Sequence, residues 1–480
     1  MAIAQALLPY HVELVDSPEL VTSHAALPLV LELMRAVIAS SRYRDLRDAL
    51  GYTDWKTVQG HVESVVLLVV AGGEHTSDLD VLRADRGLEK LLGRRVSCPT
   101  QIKDFLYRFH QHKGGGLVTP KEDAELSVAG KARIREEGPG LVALERLVLD
   151  VVEALVVTRP RDTVTLDVDA TILTAHKKTA LVAYEGTRGY QPQMAWWAEQ
   201  GVWVCDQFRD GNVPAAFQVR GFLERAFAAV PAGLQRRRLR ADSALYDEDA
   251  LTWVDDQGID FVVSADMTEA LRAKVERIPE QEWKPYKSLS ERAAVNEERQ
   301  WAEVIDFIPG WKRNHRKTGE ALRYIAVRVR TRQKELFEGD ASAWRHFAVC
   351  TNMDWQGDRL LRWHREKQGT VEHAHGVLKN DLGGGCLPTG KFGSNAAWWR
   401  LNVLAHNLLE LLKTSALPES LASARPKTLR FQLLTLPGRL VHHARAWILK
   451  ISAVFPLASA FVAARERLAQ LAQRLGLAPA

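Results

Sequence analysis

A chain of 480 residues is too long for one ordinary compact domain, and an apolar fraction of 46% with 26% charged residues excludes a disordered one. A net charge of +5 permits a nucleic-acid partner without demanding one. The four cysteines, Cys98, Cys205, Cys350 and Cys386, are too far apart for a zinc ribbon or a disulfide framework and fit a reducing compartment.

The first twenty residues lack a basic segment followed by a sustained apolar run, so no signal peptide is expected. "VESVVLLVVAGGEH" is apolar but too short to span a bilayer, and the expectation is a cytoplasmic protein with no membrane partner. Residues 1–155 read as helical. "LVLELMRAVIASS" has helical apolar spacing, Gly51 and Gly60 separate short helices after it, and Ser97 and Thr100 are cap candidates for the helix in "SCPTQIKDFLYRFHQH". Such a region suits DNA binding or dimerisation, and equally a helical cap with no ligand of its own.

From residue 156 to 265 short β-rich runs alternate with helices, which predicts an α/β layer. Residues 266–356 break the alternation. "QWAEVIDFI", "ALRYIAVRVRT" and "AWRHFAVCTN" read as a β-rich insertion joined by charged connections, including the basic "WKRNHRKTGE". Residues 357–415 are helical again, and 416–480 form a C-terminal region in which "GRLVHHARAWILKI" is strand or helix and "SAFVAARERLAQLAQRLG" is helix.

Three places combine acids with an apolar setting, where an isolated carboxylate is costly and calls for a partner or a metal. In "TVTLDVDATIL", Asp167 and Asp169 stand two residues apart on a strand and so share one face, opposite Leu166 and Val168. Asp169 reads as functional. Asp167 is as readily explained by pairing with an arginine or capping a turn, and its role is open. Asp242, in "LRADSALYDED", sits as if at the C-terminal end of a strand, where open α/β sheets bind ligands, whereas Asp247 and Asp249 suit a helix N-terminus. In "RWHREKQGTVEHAHGVLKNDL", Arg365, Gln368, Glu372, His375 and Lys379 recur at spacings of three and four along one helix face. That stripe alone is also what a solvated salt-bridge face looks like.

Taken in order, "LDVDAT", "RADSALY" and "KQGTVEHAHGVLKNDLGGG" resemble the DDE transposases of bacterial insertion sequences, most nearly the group numbered thirteen-eighty, over roughly residues 161–412. The resemblance implies a mixed α/β sheet of RNase H-like type flanked by helices, interrupted by the β-rich insertion and preceded by a helical DNA-binding region. It implies Asp169, Asp242 and Glu372 as catalytic acids holding two Mg²⁺ or Mn²⁺ ions, which suits hard oxygen ligands. Arg365, His375 and Lys379, with Lys312 and Arg313 in the basic loop, are the implied DNA contacts. The Tyr and Arg of the related Tyr-Arg-Glu-Lys signature are replaced by Arg365 and Gln368. Cut-and-paste movement is implied, with terminal inverted repeats and target DNA as partners, a homodimeric synapse to which the C-terminal region would contribute, and association with the nucleoid when DNA is bound.

The insertion also carries Trp283, Trp301, Trp311, Trp344 and Trp355. Each is a core residue first, with stacking on a flipped base the rarer role. Two rival functions share this pattern: a catalytically silent DNA-binding protein derived from a transposase, and an RNase H-like nuclease specific for a DNA structure. An enzyme of small phosphoesters fits the long helical N-terminus and scattered basic loops poorly.

Overall fold

The computed structural model describes residues 19–126, 131–177, 179–286, 297–310, 322–331 and 344–476. Lys312, Arg313 and Trp311 lie outside the described residues.

The helical first part comprises α1 (Pro28–Val37), α2 (Ser40–Leu50), α3 (Trp55–Ala71), α4 (Leu79–Ala84), α5 (Arg86–Leu92), α6 (Pro99–Tyr107), α7 (Pro120–Leu126) and α8 (Pro139–Thr158). Its boundaries follow local chemistry. Asp54 accepts from the backbone N–H groups of Lys56 and Thr57 at the start of α3, and Gly51 and Gly72 close α2 and α3 in the left-handed region that costs glycine nothing. Helix α6 starts differently from the sequence expectation: Cys98 is its cap residue and Pro99 its first helical position, where a missing N–H is harmless. The apolar run in α3 is a buried core helix, and among the described residues no helix is long and apolar enough to cross a membrane.

The strands are β1 (Leu20–Thr22), β2 (Thr163–Ala170), β3 (Leu173–Thr174), β4 (Leu181–Val182), β5 (Arg188–Tyr190), β6 (Gln193–Trp197), β7 (Val202–Gln207), β8 (Arg236–Ala241), β9 (Asp260–Ala265), β10 (Lys284–Pro285), β11 (Glu297–Val304), β12 (Arg323–Thr331), β13 (Arg345–Thr351), β14 (Gly438–His443) and β15 (Ala446–Lys450). Among the described residues one large mixed sheet runs in the order β10-β11-β12-β13-β9-β8-β2-β6-β7. Strand β2 pairs parallel with β8 and antiparallel with β6, and β8 pairs parallel with β9. Helices α9 (Val219–Ala228) and α10 (Glu248–Asp256) supply the crossovers, and α11 (Glu269–Glu276) follows β9. Within the β-rich segment, β13 pairs antiparallel with β9, from Ala348 opposite Ala265 to Thr351 opposite Val262, so β10–β13 extend the same sheet.

Two long helices complete the body, α12 (Gly357–Asn380) and α13 (Phe392–Ser415). Helix α13 is buried on nearly every side, packed against α1, α3, α6, α8 and β7, and one hydrophobic core runs from Ala25 through it to the terminal helix α14 (Ala458–Arg474). The helices before residue 156 therefore share their core with the sheet. Arg400 of α13 anchors this junction: its guanidinium, 1% exposed, bonds Asp206 of β7 at 2.8 Å and Glu137 ahead of α8 at 2.8 Å. A smaller sheet, β1-β14-β15, lies at the C-terminal end.

Candidate active site

Asp169 lies near the end of β2 and Asp242 immediately after β8, its parallel neighbour, so the register alone brings the two acids side by side. Glu372 comes from α12, which packs across β2 and β8. All three acids line one cavity of about 520 Å³, together with Ser243, His364, Arg365, Lys367 and Gln368. A second concavity of about 480 Å³, bordered by Tyr184, Gln191 and Asn212, meets the first at Asp169 and Asp242. The acids thus stand in an open trough, not in a closed small-molecule pocket.

The helix is held in place by Asp167. Its carboxylate, with no exposed surface, accepts from Arg240 Nε at 2.6 Å, from Arg240 Nη2 at 2.9 Å and from Thr370 Oγ1 of α12 at 2.9 Å. The Arg240 guanidinium also donates to the Trp363 carbonyl at 2.7 Å and to Glu366 at 2.9 Å, both on α12. His364, buried so that its pKa drops to about 4, bonds the Ala241 carbonyl through Nε2 at 2.9 Å. These bonds fix the register of α12 over the ends of β2 and β8, and hence the height of Glu372 over Asp169.

Lys367 is the residue that sequence reasoning missed. Its ammonium, 9% exposed at the side chain, stands 3.6 Å from Asp169 and 3.8 Å from Asp242. The Asp169 carboxyl is pushed up to about 6, chiefly by burial, with repulsion from Asp242 and Glu372 adding to it and Lys367 opposing it. Two repelling carboxylates and a third at the cavity wall form a hard-oxygen donor set that suits a divalent cation. Among the described residues, the His, Cys, Asp and Glu ligand atoms that all fall within 4.8 Å of one another belong to Glu74, His75 and Cys386, so the three acids stand further apart than that, with Lys367 between two of them. A divalent cation placed there would compete with the ammonium for Asp169 and Asp242. Lys367→Met is expected to raise Mn²⁺ affinity while lowering the metal-free protein's stability by about 1–3 kcal/mol, because the carboxylates lose the charge that offsets their repulsion. Calorimetric Mn²⁺ titration and thermal melts with and without the ion check this; unchanged Mn²⁺ affinity would remove Lys367 from the electrostatics of the site.

The other expected contacts fall in different settings. Arg365 and Gln368 line the cavity and bond each other at 3.2 Å. Lys379 donates to Thr171 Oγ1 at 3.0 Å, just beyond β2. His375 is 4% exposed, stacks on Trp203 with centroids 4.8 Å apart, and has a pKa lowered to about 3 by burial. It faces Asp169 from inside, at 4.0 Å, and not the surface. Of the tryptophans, Trp283 and Trp301 are buried, Trp344 and Trp283 sandwich Arg328 at 4.3 and 4.5 Å, and Trp355 stacks under Arg359 at 4.2 Å.

The family model for the transposase DDE domain, group 1, matches residues 19–473. No curated protein matches the sequence. Among solved structures, a cryo-EM structure of a piggyBac transposase synaptic complex with hairpin DNA aligns over 97% of this chain and 88% of that one, at 10% identity and a TM-score of 0.48.

Proposed function

The chain belongs to the transposase DDE domain family, group 1, and we propose that Asp169, Asp242 and Glu372 are its catalytic acids, holding two Mg²⁺ or Mn²⁺ ions for cut-and-paste movement of an insertion sequence. The observation that carries this reading is the convergence of the three acids, from two adjacent parallel strands and one crossing helix, on a single open trough. It also supports an RNase H-like reading of the sheet around β2, β8 and β9. When bound, the ions supply Lewis acidity for activating a water or a DNA 3′-hydroxyl and for stabilising the leaving oxygen.

The chain's own residues do the rest. The bracket around Asp167 holds α12 so that Glu372 faces the strand-borne pair. Arg365 and Gln368, on the wall of the same cavity, are placed to hold the phosphate of an incoming strand. Lys367 neutralises the acids while the trough is empty and has a phosphate to turn to once ions take its place. Lys379 lies further along α12 beside Thr171, a position for the flanking phosphate. His375, buried and uncharged, supports Asp169 from behind. The partners are terminal inverted repeats and target DNA, with a homodimer joining two ends, the helices before residue 156 contributing to end binding, and the C-terminal region to dimerisation.

Duplex DNA carrying the inverted repeats of the element's own ends, incubated with the protein and Mg²⁺, is expected to be cut at the repeat boundary and joined to target DNA. Binding without cutting identifies a silent DNA-binding protein, and cutting without end specificity or joining identifies a structure-specific nuclease. The raised Asp169 pKa sets a pH dependence. Below about 6 this carboxyl keeps its proton, which a metal ion must displace, so apparent Mn²⁺ affinity should rise about fivefold from pH 5 to 6 and level off above pH 7. Calorimetry across that range tests it, and a flat profile would mean that Asp169 is not a ligand.

A further inference from the structure

No aspartate or glutamate occurs between Glu419 and Glu466, while seven lysines and arginines do. Five of the seven are tied down at home. Arg425 and Lys427 pair with Asp381 at the end of α12, Arg430 bonds the Asp381 carbonyl, Arg439 pairs with Glu19, and Arg465 with Glu32. Among the described residues the remaining two, Arg445 and Lys450, have no acidic partner, and both stand on the β14–β15 hairpin.

The hairpin is built to project. Strand β1 pairs with β14 only from Gly438 to Leu440, so the ribbon from Val441 to Ala446 has no neighbour on that side, and residues 442–448 are all exposed. His443 pairs with Ala446 across a two-residue turn whose residues, Ala444 and Arg445, have φ of 47° and 66°. That is the turn type that normally demands Asn-Gly, and here it holds an arginine at the tip in a conformation side chains rarely adopt. Trp447 is 46% exposed beside His442, and Lys90 of α5 reaches over its ring. Arg86 and Lys90 extend the cationic face, and α5 is fixed against β1 so closely that a Cβ on Gly87 would clash with the Val21 carbonyl.

We infer that the β14–β15 ribbon is a second DNA-binding element, separate from the catalytic trough, in which Arg445 and Lys450 contact the phosphates of a duplex whose major groove receives the ribbon. A cationic ribbon complements a polyanion, and a two-stranded ribbon matches the major groove of B-DNA. The exposed tryptophan between cations suits packing on the sugar–phosphate edge. The inference rests on the transposase reading only for the source of the DNA.

The test is a salt titration of duplex binding by the full chain. Neutralising both cations with Arg445→Ser and Lys450→Ser should lower the magnitude of the slope of log K against log salt by about 2, and weaken binding roughly tenfold near 0.1 M salt. The control Arg220→Ser, which removes a cation paired with Glu224 and Asp249, should leave the slope as it is. Charge reversal, Arg445→Glu, should weaken binding further. A wild-type slope in the hairpin double variant overturns the inference. So does a double variant that loses self-association while binding DNA normally, since the ribbon would then seat a second copy. Failure of the catalytic reading would appear separately, as wild-type protein that binds the duplex and never cuts it with Mg²⁺.

Discussion

Asp169→Asn, Asp242→Asn and Glu372→Gln are each expected to slow strand cleavage at an inverted repeat by about 10³-fold or more, with affinity for uncut DNA changed by less than about threefold. Each substitution keeps the side chain's shape and removes one ligand charge, so the fold has no reason to respond. Asp169 is the most sensitive position: it is largely buried, next to Asp242 and within reach of Glu372, and only a cation or a proton makes its charge tolerable there. The three should also fail to add. A site that has lost one ligand has lost its metal geometry, and a second substitution costs little more. Single-turnover cleavage measured alongside filter binding separates the chemistry from the grip, and a single variant that keeps more than about a tenth of the wild-type rate would take that residue out of the set.

The strand-borne acids were legible because strand periodicity is short-range: Asp169 and Asp242 each sit at or just past the end of an apolar run, and the structure places both at strand ends. The stripe from Arg365 to Lys379 was legible as one helix face, but its fate along the helix was not. The stripe spans about 21 Å of helix, and along it the setting changes from open cavity to interior and back to half-buried at Lys379. Arg365 and Gln368 accordingly line the trough, while His375 is buried against Trp203. Lys367 lies off that stripe, and only the proximity of β2 and β8 beneath α12 makes it a neighbour of two acids. Strand order was equally hidden. The pairing of the β-rich block with β9, some ninety residues upstream, leaves no trace in local periodicity. The β14–β15 hairpin escaped for a different reason: its turn is Ala444–Arg445, without the glycine or asparagine that marks such turns.

Asp167→Ala is expected to destabilise the protein by about 3–5 kcal/mol, as removal of one partner of a buried ion pair leaves the other charge stranded. Arg240 opposes Asp167 directly in the β2–β8 register, and its guanidinium is 2% exposed. With Asp167 gone, Arg240 keeps Glu366 and the Trp363 carbonyl but loses both strong bonds to β2. The pair substitution Asp167→Leu with Arg240→Met removes both charges and should recover much of the lost stability, since well-packed apolar groups often replace a buried pair without net cost. Activity should not follow. Thr370 loses its acceptor on β2, and α12 is left to find its height over Asp169 by apolar contact alone. Asp167 and Arg240 are in this view positioning residues, and the double variant distinguishes that role from a merely structural one. It should melt near the wild type, bind DNA as well, and cleave at least about tenfold more slowly, the penalty expected when reacting groups are displaced by a fraction of an ångström to an ångström. Full recovery of cleavage together with stability would mean that α12 is held by its packing and that the bracket contributes only to the fold.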